Sequence, residues 1–501
     1  MTWIVVLVVL ALIALAVSDL RQKKHAILRN FPVLGHLRYL LEAIGPELRQ
    51  YIVSANNAER PFSRDQRSWV YASAKGQNNY FGFGTENDLE LSANYLIIKQ
   101  SAFPLPESHD KNYSLPCAKI IGSSHRRPKA FRPSSVINVS GMSFGSLSGP
   151  AIEALNRGCK IVGALQSTGE GGISVYHQHG GDLVWQIGTG YFGCRNPDGS
   201  FSLEHFLETV AASPVKMLEI KLSQGAKPGL GGVLPAHKVT TEIAAARGVP
   251  AGEDCLSPSN HTAFHDVDSL LEFIELLAQK TGLPVGIKSA VGDLTFWETL
   301  ATRMLETGTG PDFITIDGGE GGTGAAPLAF SDHVSLPFKL GFTRVYAVFA
   351  KRGMQDGITF IGSGKLGFPE DAIFAFALGC DMVNVAREAM LAIGCIQAQK
   401  CHTNHCPTGV ATQDKWLMRG LDPEDKSARV ANYILTLRKE ILRLSHACGL
   451  PHPALVSSTH LEILNDHYSA QTLEQVFGYE ADWSLPSSAD RAAVTALMAQ
   501  P

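Results

Sequence analysis

The chain has 501 residues, of which 45% are hydrophobic and 18% are charged. This length and apolar content are typical of a globular protein with a large core and more than one domain. The 43 lysines and arginines stand against 47 aspartates and glutamates, giving a formal net charge of −4. Because the two signs are interspersed and no basic stripe is present, we expect no nucleic-acid partner.

The first residues of the chain carry a membrane signal. Residues 3–17 form an unbroken apolar run, and a basic cluster follows it at Arg21, Lys23, Lys24 and His25. With its flanks the run reaches the length of one transmembrane helix, and the positive-inside rule places the bulk of the chain in the cytoplasm. A cleaved signal peptide is the alternative, since residues 14–16 resemble a cleavage site, although no basic side chain precedes the run. We predict a membrane anchor over residues 1–25.

Residues 26–133 are interpreted as an N-terminal extension. Within it, Gly35 to Ser54 has a helical pattern, and the aromatic residues near Tyr80 to Phe83 indicate extended chain.

From Val136 onward the pattern changes to short β-branched runs, most of them ending near glycine, serine or threonine and followed by a stretch of helix length. Eight runs are predicted as strands: 136–144, 160–168, 183–190, 216–223, 284–291, 313–318, 358–364 and 382–387. Eight βαβ units within about 250 residues indicate an α/β protein built on a (β/α)8 TIM barrel. An open doubly wound sheet is the alternative. The barrel is assigned to residues 134–413 and a helical C-terminal region to residues 414–501.

Unusual residues are concentrated at the ends of the predicted strands, where barrel enzymes place their chemistry. Glu170 follows the second strand, Lys221 and Gln224 follow the fourth, and a glycine-rich stretch comes next. Loops after strands seven and eight commonly bind phosphate. The residues there indicate a phosphorylated cofactor: Gly362, Ser363 and Gly364 after strand seven, and Ala386 and Arg387 after strand eight.

Three closely spaced cysteines form the most specific motif. Cys395, Cys401 and Cys406 follow the pattern C-x5-C-x4-C. Thiolates at this density favour a soft metal or an iron–sulfur cluster, and three ligands suit a three-iron cluster or a four-iron cluster with one open or non-cysteine corner. A zinc site completed by His402 or His405 is an alternative, as is a disulfide with one spare thiol.

Four stretches, in this order, resemble the FMN-binding synthase domain of glutamate synthase: Ser167 to Gly172, Gln224 to Gly229, Gly318 to Pro327, and Cys401 to Pro407. The resemblance covers about residues 136–413. It implies a barrel that holds FMN and a 3Fe–4S cluster and reduces 2-iminoglutarate, formed from 2-oxoglutarate and ammonia, to L-glutamate. Such an enzyme is an oxidoreductase acting on the CH–NH2 group of donors. The cysteine spacing matches that of the family's cluster ligands.

The resemblance also implies roles for individual residues. Ser140, Met142 and Ser143 would line the flavin, Gln186 would hydrogen-bond its pyrimidine edge, and Lys288 would lie beside its N1 and O2 atoms and stabilise the reduced ring. Gly319 and the loops after strands seven and eight complete the expected cofactor site.

For the substrate, the resemblance implies that Lys227 and Arg247 bind the two carboxylates of the keto acid. Gln224 would contribute to the same site, and Glu170 would transfer a proton to the imine. A cation paired with a bidentate arginine is suited to a small diacid.

The sequence departs from the family pattern in several places. It shows no N-terminal cysteine nucleophile and no second dinucleotide-binding unit, so we expect a glutaminase subunit to supply ammonia and a ferredoxin or reductase subunit to supply electrons. Val233 replaces the usual glutamine and Tyr191 replaces the usual arginine.

Three alternatives therefore remain. The first is an enzyme that makes N-substituted glutamate from a primary amine. The second is another flavin oxidoreductase of imines, 2-keto acids or 2-hydroxy acids. The third is a membrane-anchored electron-transfer subunit.

Overall fold

The structure is a computed structural model that describes residues 2–108, 110–465 and 468–499. It divides into two compact units, Met1–Arg67 and Ser68–Pro501. Residues 68–133, which the sequence assigned to a separate extension, therefore fold within the same unit as the barrel.

The first unit is built from helices. They are α1 (Thr2–Arg21), α2 (Ala26–Asn30) and α3 (Gly35–Leu48), which continues as a π-helix over Arg49–Val53. The helical pattern predicted for residues 35–54 is thus confirmed. By length and composition α1 is able to cross a membrane, since its most apolar window has a mean hydropathy of 2.7. The helix α4 (Arg64–Ala74) leads into the second unit.

Eight parallel strands of the second unit close into a barrel, which confirms the predicted fold. The short strand β1 (Leu96–Ile98) precedes them. The barrel strands are β2 (Ile137–Val139), β3 (Gln166–Ser167), β4 (Leu183–Ile187), β5 (Val215–Lys221), β8 (Val285–Ser289), β9 (Phe313–Asp317), β10 (Thr359–Ser363) and β11 (Met382–Val385). A two-stranded ribbon, β6 (Val233–Leu234) with β7 (Cys255–Leu256), lies between β5 and β8 in the chain.

Each of the eight predicted runs overlaps one barrel strand, but the second run begins too early. Residues 160–162 are the last turn of α5 (Gly149–Val162), which ends where Gly163 adopts a left-handed conformation with φ 63°. That glycine is the C-terminal signal of the helix. Only Gln166 and Ser167 of the predicted run pair as a strand.

The remaining helices cover the barrel or extend the chain beyond it. They are α6 (Leu203–Ala211), α7 (Thr241–Arg247), α8 (Val267–Thr281), α9 (Thr295–Thr307), α10 (Leu328–His333), α11 (Phe338–Ala350), α12 (Pro369–Ala377), α13 (Arg387–Ala392), α14 (Lys415–Met418), α15 (Pro423–Ala447), α16 (Leu473–Phe477) and α17 (Ser488–Met498). The C-terminal region is largely helical, as predicted. It also adds β12 (Leu461–Leu464) and β13 (Ala470–Thr472), which form a small antiparallel sheet with β1.

The segment before β2 closes the N-terminal end of the barrel. Cys117 and Ile121 are fully buried and pack with residues from the starts of the strands, among them Val184, Met217 and Phe313. This plug leaves the opposite end of the barrel, where the strands finish, for the functional site.

Buried ion pairs hold the plug in place. Arg127 donates to Asp312 at 3.0 Å and to Glu275 at 2.6 Å, and Lys119 donates to Asp381 at 3.0 Å. Because these side chains are largely removed from water, the charge of each is neutralised by its partner, and loss of one partner would leave a buried unpaired charge.

Candidate functional site

A charged cluster lies at the C-terminal ends of β3 and β5. Lys221, the last residue of β5, donates to Glu170 Oε1 at 2.9 Å and to Gln224 Oε1 at 2.6 Å. Glu170 stands in the loop after β3, and its side chain is 20% exposed. The ends of β3 and β5, which flank β4 in the barrel, therefore bring Glu170 next to Lys221 and Gln224, about 50 residues further along the chain.

The surroundings of Glu170 favour its carboxylate form. Burial opposes ionisation and is the largest single effect, but the charge and hydrogen bond of Lys221 oppose burial, as do the charges of Lys227 and Arg247. The net result is that the pKa of Glu170 lies below its usual value of 4.5. Three cations around one carboxylate leave this site with excess positive charge, which suits an anionic ligand.

Lys227 and Arg247, the two predicted carboxylate ligands, are both buried. Lys227 donates to the Gly231 carbonyl at 2.8 Å, and its burial lowers its pKa despite the opposing charge of Glu170. Arg247 donates to the Phe144 carbonyl at 3.2 Å, and its Nε has no hydrogen-bond partner among the described residues. This buried donor is therefore available to an acceptor that the site binds.

Glycines allow the backbone to approach this cluster closely. A Cβ at Gly188 would lie 2.8 Å from Glu170 Oε2, and one at Gly231 would lie 1.8 Å from the Ser257 carbonyl oxygen. Any side chain at either position would displace the groups that form the site.

A second polar layer lies deeper in the barrel, on β4, β5, β8 and β9. Lys288 faces Asp317 at 3.4 Å, while Gln186 donates to Glu219 Oε1 at 2.6 Å. Burial alone would lower the pKa of Lys288, but the charges of Asp317 and Glu219 outweigh burial and raise it. Lys288 is therefore a buried, protonated cation at the floor of the site.

The loop after β2 contains the predicted flavin-lining residues Ser140, Met142 and Ser143. Ser140 is buried, and the other two are half-buried. The loop crosses directly over the neighbouring strands, since a Cβ at Gly141 would lie 3.0 Å from Gln186 Nε2 and 3.1 Å from Ser167 Oγ. Ser167 Oγ is buried and has no partner among the described residues, so it offers a free donor at the same strand ends.

The predicted phosphate-binding residues come together at the ends of β10 and β11. Gly319 N donates to the Leu336 carbonyl at 2.9 Å, and Arg387 donates to the Glu320 carbonyl. Ser363 ends β10 in a buried position, Gly364 follows with φ 155°, and Ala386 precedes Arg387. Gly362 has a packing role, because a Cβ there would lie 2.8 Å from Leu366 Cδ1 and 2.9 Å from Phe338 Cζ.

Tyr191, at the position where the family pattern has arginine, organises the loop behind Lys221. Its hydroxyl accepts from Thr262 N at 3.1 Å and from Ala263 N at 3.0 Å. His261 Nε2 donates to the Lys221 carbonyl at 2.9 Å, so Nδ1 is left to accept from the Tyr191 hydroxyl at 3.0 Å. Burial lowers the pKa of His261 to about 4, which is consistent with this neutral form.

The cysteine loop is fixed from two sides. The Lys238 ammonium donates to the Cys401 carbonyl at 2.8 Å, and the Tyr71 hydroxyl donates to the Cys395 carbonyl at 2.8 Å. Lys238 is buried, and its charge interacts with the Cys401 and Cys406 thiols. Burial and the neighbouring Cys406 outweigh the lowering effect of the Lys238 charge on the pKa of Cys401, so this pKa lies above its usual value of 9.0.

The three cysteines are not gathered around one point. Over residues 2–108, 110–465 and 468–499, the structure contains no group of three or more histidine, cysteine, aspartate or glutamate side chains arranged to hold a metal ion. None of these three cysteines, nor any of the other six that the structure describes, forms a disulfide.

Sequence reasoning missed several residues of the site. Glu219, Asp317 and His261 were not singled out, and Lys221 was noted without a role. For Glu219 and Lys221 the signal was present, because alternate residues of β5 face the barrel interior. For His261 and Asp317 no local pattern distinguishes them from structural residues.

A sequence model of the conserved region in glutamate synthase matches residues 98–451. The glutamate synthase large subunit-like protein YerD of Bacillus subtilis is 37% identical over 481 residues, which cover 89% of this chain and 91% of YerD. The archaeal glutamate synthase (NADPH) of Methanocaldococcus jannaschii is 35% identical over 317 residues, 63% of this chain, and the match spans 59% of that enzyme's length. Among solved structures, a double mutant of flavocytochrome b2 with bound pyruvate aligns with a TM-score of 0.44 and 14% identity, covering 88% of this chain and 91% of that chain.

Proposed function

The chain belongs to the glutamate synthase family, and from this premise we propose that it catalyses the flavin-dependent reductive amination of 2-oxoglutarate to L-glutamate. One observation carries the proposal beyond family membership. The Glu170 carboxylate is surrounded by the cations Lys221, Lys227 and Arg247 at the mouth of the barrel, above the buried cation Lys288. This arrangement can hold a dianionic keto acid and move a proton beside it.

FMN would be held by the loop after β2, by the floor residues and by the ends of β10 and β11, and when bound it would supply a hydride to the imine carbon. The buried Ser167 Oγ, which lacks a partner, and the protonated Lys288 fit the polar edge of such a ring. The positive charge of Lys288 would stabilise negative charge that develops on that edge.

The two carboxylates of 2-oxoglutarate would be bound by Lys227 and Arg247. The partnerless Nε of Arg247 provides a donor, and Lys227 provides a partly desolvated charge. Gln224 Oε1 accepts a hydrogen bond from Lys221, and this contact would help to orient the lysine toward Glu170. Because water is largely excluded from both cations, their attraction to carboxylates is stronger than at the surface.

Glu170 would act first as a proton acceptor. The carboxylate form is favoured at neutral pH, so this group can take a proton from ammonium and release the neutral nitrogen that attacks the keto carbon. The resulting carbinolamine loses its hydroxyl group as water to give the imine, and the carboxylic acid form of Glu170 would then return its proton to the imine nitrogen as hydride adds to the imine carbon.

We also propose that Cys395, Cys401 and Cys406 bind a 3Fe–4S cluster. The buried cation Lys238 next to Cys401 and Cys406 would partly compensate the charge of sulfur ligands, and none of the three cysteines is held in a disulfide. Gly324, in the loop after β9, lies against Cys401, since a Cβ there would be 3.1 Å from the Cys401 carbonyl carbon. The loop therefore links the cysteines to the barrel mouth, a route by which electrons from a ferredoxin or reductase subunit could enter.

A second candidate nitrogen donor is a primary amine. A cavity of about 260 Å³ is lined by Gly190, Arg195, Leu256 and Thr262, among others. Val233 pairs with Leu256 in the β6–β7 ribbon and is 48% exposed. The cavity and the exposed Val233 side chain would provide space for a substituent on nitrogen.

The partners and location follow from the same proposal. A glutaminase subunit would supply ammonia, and α1 would anchor the protein in a membrane with the barrel in the cytoplasm. The apolar length of α1 and the basic residues after it support this orientation.

The proposal is tested by mixing anaerobically reduced enzyme with substrates and following flavin absorbance. Reoxidation is expected with 2-oxoglutarate plus ammonium and not with glutamine alone. Lys227→Met should raise the keto-acid concentration needed for half-maximal rate, whereas Lys280→Met, on an outer helix, should leave it unchanged. Faster reoxidation with methylamine than with ammonium would favour the second candidate, and a failure of both would refute the proposal.

A further inference from the structure

The helix α3 exposes a continuous apolar face. Leu37, Leu41, Ile44 and Leu48 recur at helical spacing, and their exposed fractions range from 40% to 57%. The helix is about 21 Å long from its 14 residues, so these side chains form a narrow stripe along its length. An exposed stripe of this size needs a partner that covers it.

The opposite face of α3 is already occupied within the same unit. Gly35 lies against α2, since a Cβ there would be 3.0 Å from Leu28 Cδ2. The Tyr39 ring meets the His25 ring edge-on at 5.6 Å. Arg38 and Glu42 form an exposed ion pair, and neither residue lies on the apolar stripe. The apolar stripe therefore points away from α2.

The last turn of α1 fixes where α3 begins. Asp19 is the only buried side chain described in α1, and its carboxylate accepts from Val33 N at 2.9 Å and from His36 Nε2 at 3.0 Å. Both partners lie at the entrance to α3. The helix thus starts at the level where the apolar run of α1 gives way to Arg21, Lys23 and Lys24.

We propose that α3 lies in the interface of the bilayer that α1 spans, with its apolar stripe in the lipid, an inference that rests on the proposed anchor. Two observations select lipid over protein as the occupant. The stripe is tied directly to the end of the apolar helix α1, and exposed basic residues surround the junction, at Arg21, Lys23, Lys24 and Arg29. An amphipathic helix beside a basic cluster is suited to an anionic membrane surface.

The position of α3 is measured on the full chain in vesicles of phosphatidylethanolamine and phosphatidylglycerol. A fluorescent amino acid is placed at Leu41 on the stripe, at Glu42 as a control outside it, and at Val9 within α1. Lipids brominated near the headgroup end of the chains should quench the probe at Leu41 and leave the probe at Glu42 bright. Lipids brominated near the chain ends should quench the probe at Val9.

Two other quenching patterns would contradict the proposal, and they differ in which part of it they refute. If the probe at Val9 is quenched and the probe at Leu41 is not, protein covers the stripe and α3 is not interfacial. If the probe at Val9 is not quenched, the anchor itself is wrong and the assignment of α3 falls with it. Asp19→Asn should reduce quenching at Leu41 and leave quenching at Val9 unchanged, whereas equal quenching at Leu41 would refute the role of the Asp19 tie.

Discussion

Replacing Glu170 with glutamine tests the proposed proton transfer with little change in shape. The Glu170 carboxylate accepts from Lys221 at 2.9 Å. The Lys221 side chain is only 10% exposed and the Glu170 side chain only 20%. A hydrogen bond to a charged group contributes about 1.5–3 kcal/mol, and the glutamine oxygen retains part of it. We therefore expect Glu170→Gln to fold and to lose at most about 3 kcal/mol of unfolding free energy.

The loss of rate should be larger than the loss of stability. Positioned acid–base groups contribute roughly 10²- to 10⁴-fold to rate, which is about 2.7–5.5 kcal/mol. The 2-oxoglutarate concentration needed for half-maximal rate should fall or stay constant. Removing one anion leaves the charges of Lys227 and Arg247 uncompensated, which strengthens their attraction to 2-oxoglutarate. A lower rate without a higher 2-oxoglutarate concentration for half-maximal rate would show that Glu170 acts in proton transfer and not in substrate binding.

The measurement is the anaerobic reoxidation of reduced flavin at saturating 2-oxoglutarate and ammonium. Glu306→Gln, an exposed carboxylate paired with Arg303, is the matched control and should behave as wild type. In the wild type, the pKa of Glu170 in the folded protein lies below the usual glutamate pKa of 4.5. Ionised Glu170 therefore stabilises the fold above pH 4.5, and this stabilisation is lost as the pH falls through the pKa of the folded protein. A rate for Glu170→Gln within about threefold of wild type would refute the assigned role.

Three further changes test other parts of the account. Arg127→Met should lower the unfolding free energy in urea by about 3–5 kcal/mol, because Asp312 loses a buried counter-charge, whereas Arg303→Met at the surface should change it by less than about 1 kcal/mol. Tyr191→Phe should cost about 1–3 kcal/mol in the same measurement, because the buried His261 Nδ1 loses its donor and the Thr262 and Ala263 N–H groups lose their acceptor; an unchanged midpoint would contradict these contacts. Cys401→Ser should remove iron and sulfide while FMN is retained, and stoichiometric zinc in the wild type would refute the cluster.

The barrel could be predicted from the sequence because its signals are local. Runs of β-branched residues that end near turn residues mark all eight strands, although the start of the second run proved to be helix ended by Gly163. The composition of the strand ends likewise identified Glu170, and the family resemblance identified Lys227. These features depend on neighbours in the chain, and so a pattern can reveal them.

Other contacts could not be predicted because they join residues that are remote in sequence. The Tyr71 hydroxyl reaches the Cys395 carbonyl across 324 positions, and no local pattern marks either residue as the other's partner. The plug around Cys117 and Ile121 depends on the same kind of distant packing. His261 shows its role only because the fold places it behind Lys221.

Reductive amination by this protein can be tested in a single turnover with isotopically labelled nitrogen. Reduced enzyme is mixed anaerobically with 2-oxoglutarate and ¹⁵N-ammonium, and flavin oxidation is compared with the amount of labelled product. We expect one ¹⁵N-labelled L-glutamate for each flavin reoxidised, and no reoxidation when either substrate is omitted. Reoxidation by 2-oxoglutarate alone, or with an unlabelled product, would contradict reductive amination at the Glu170 site.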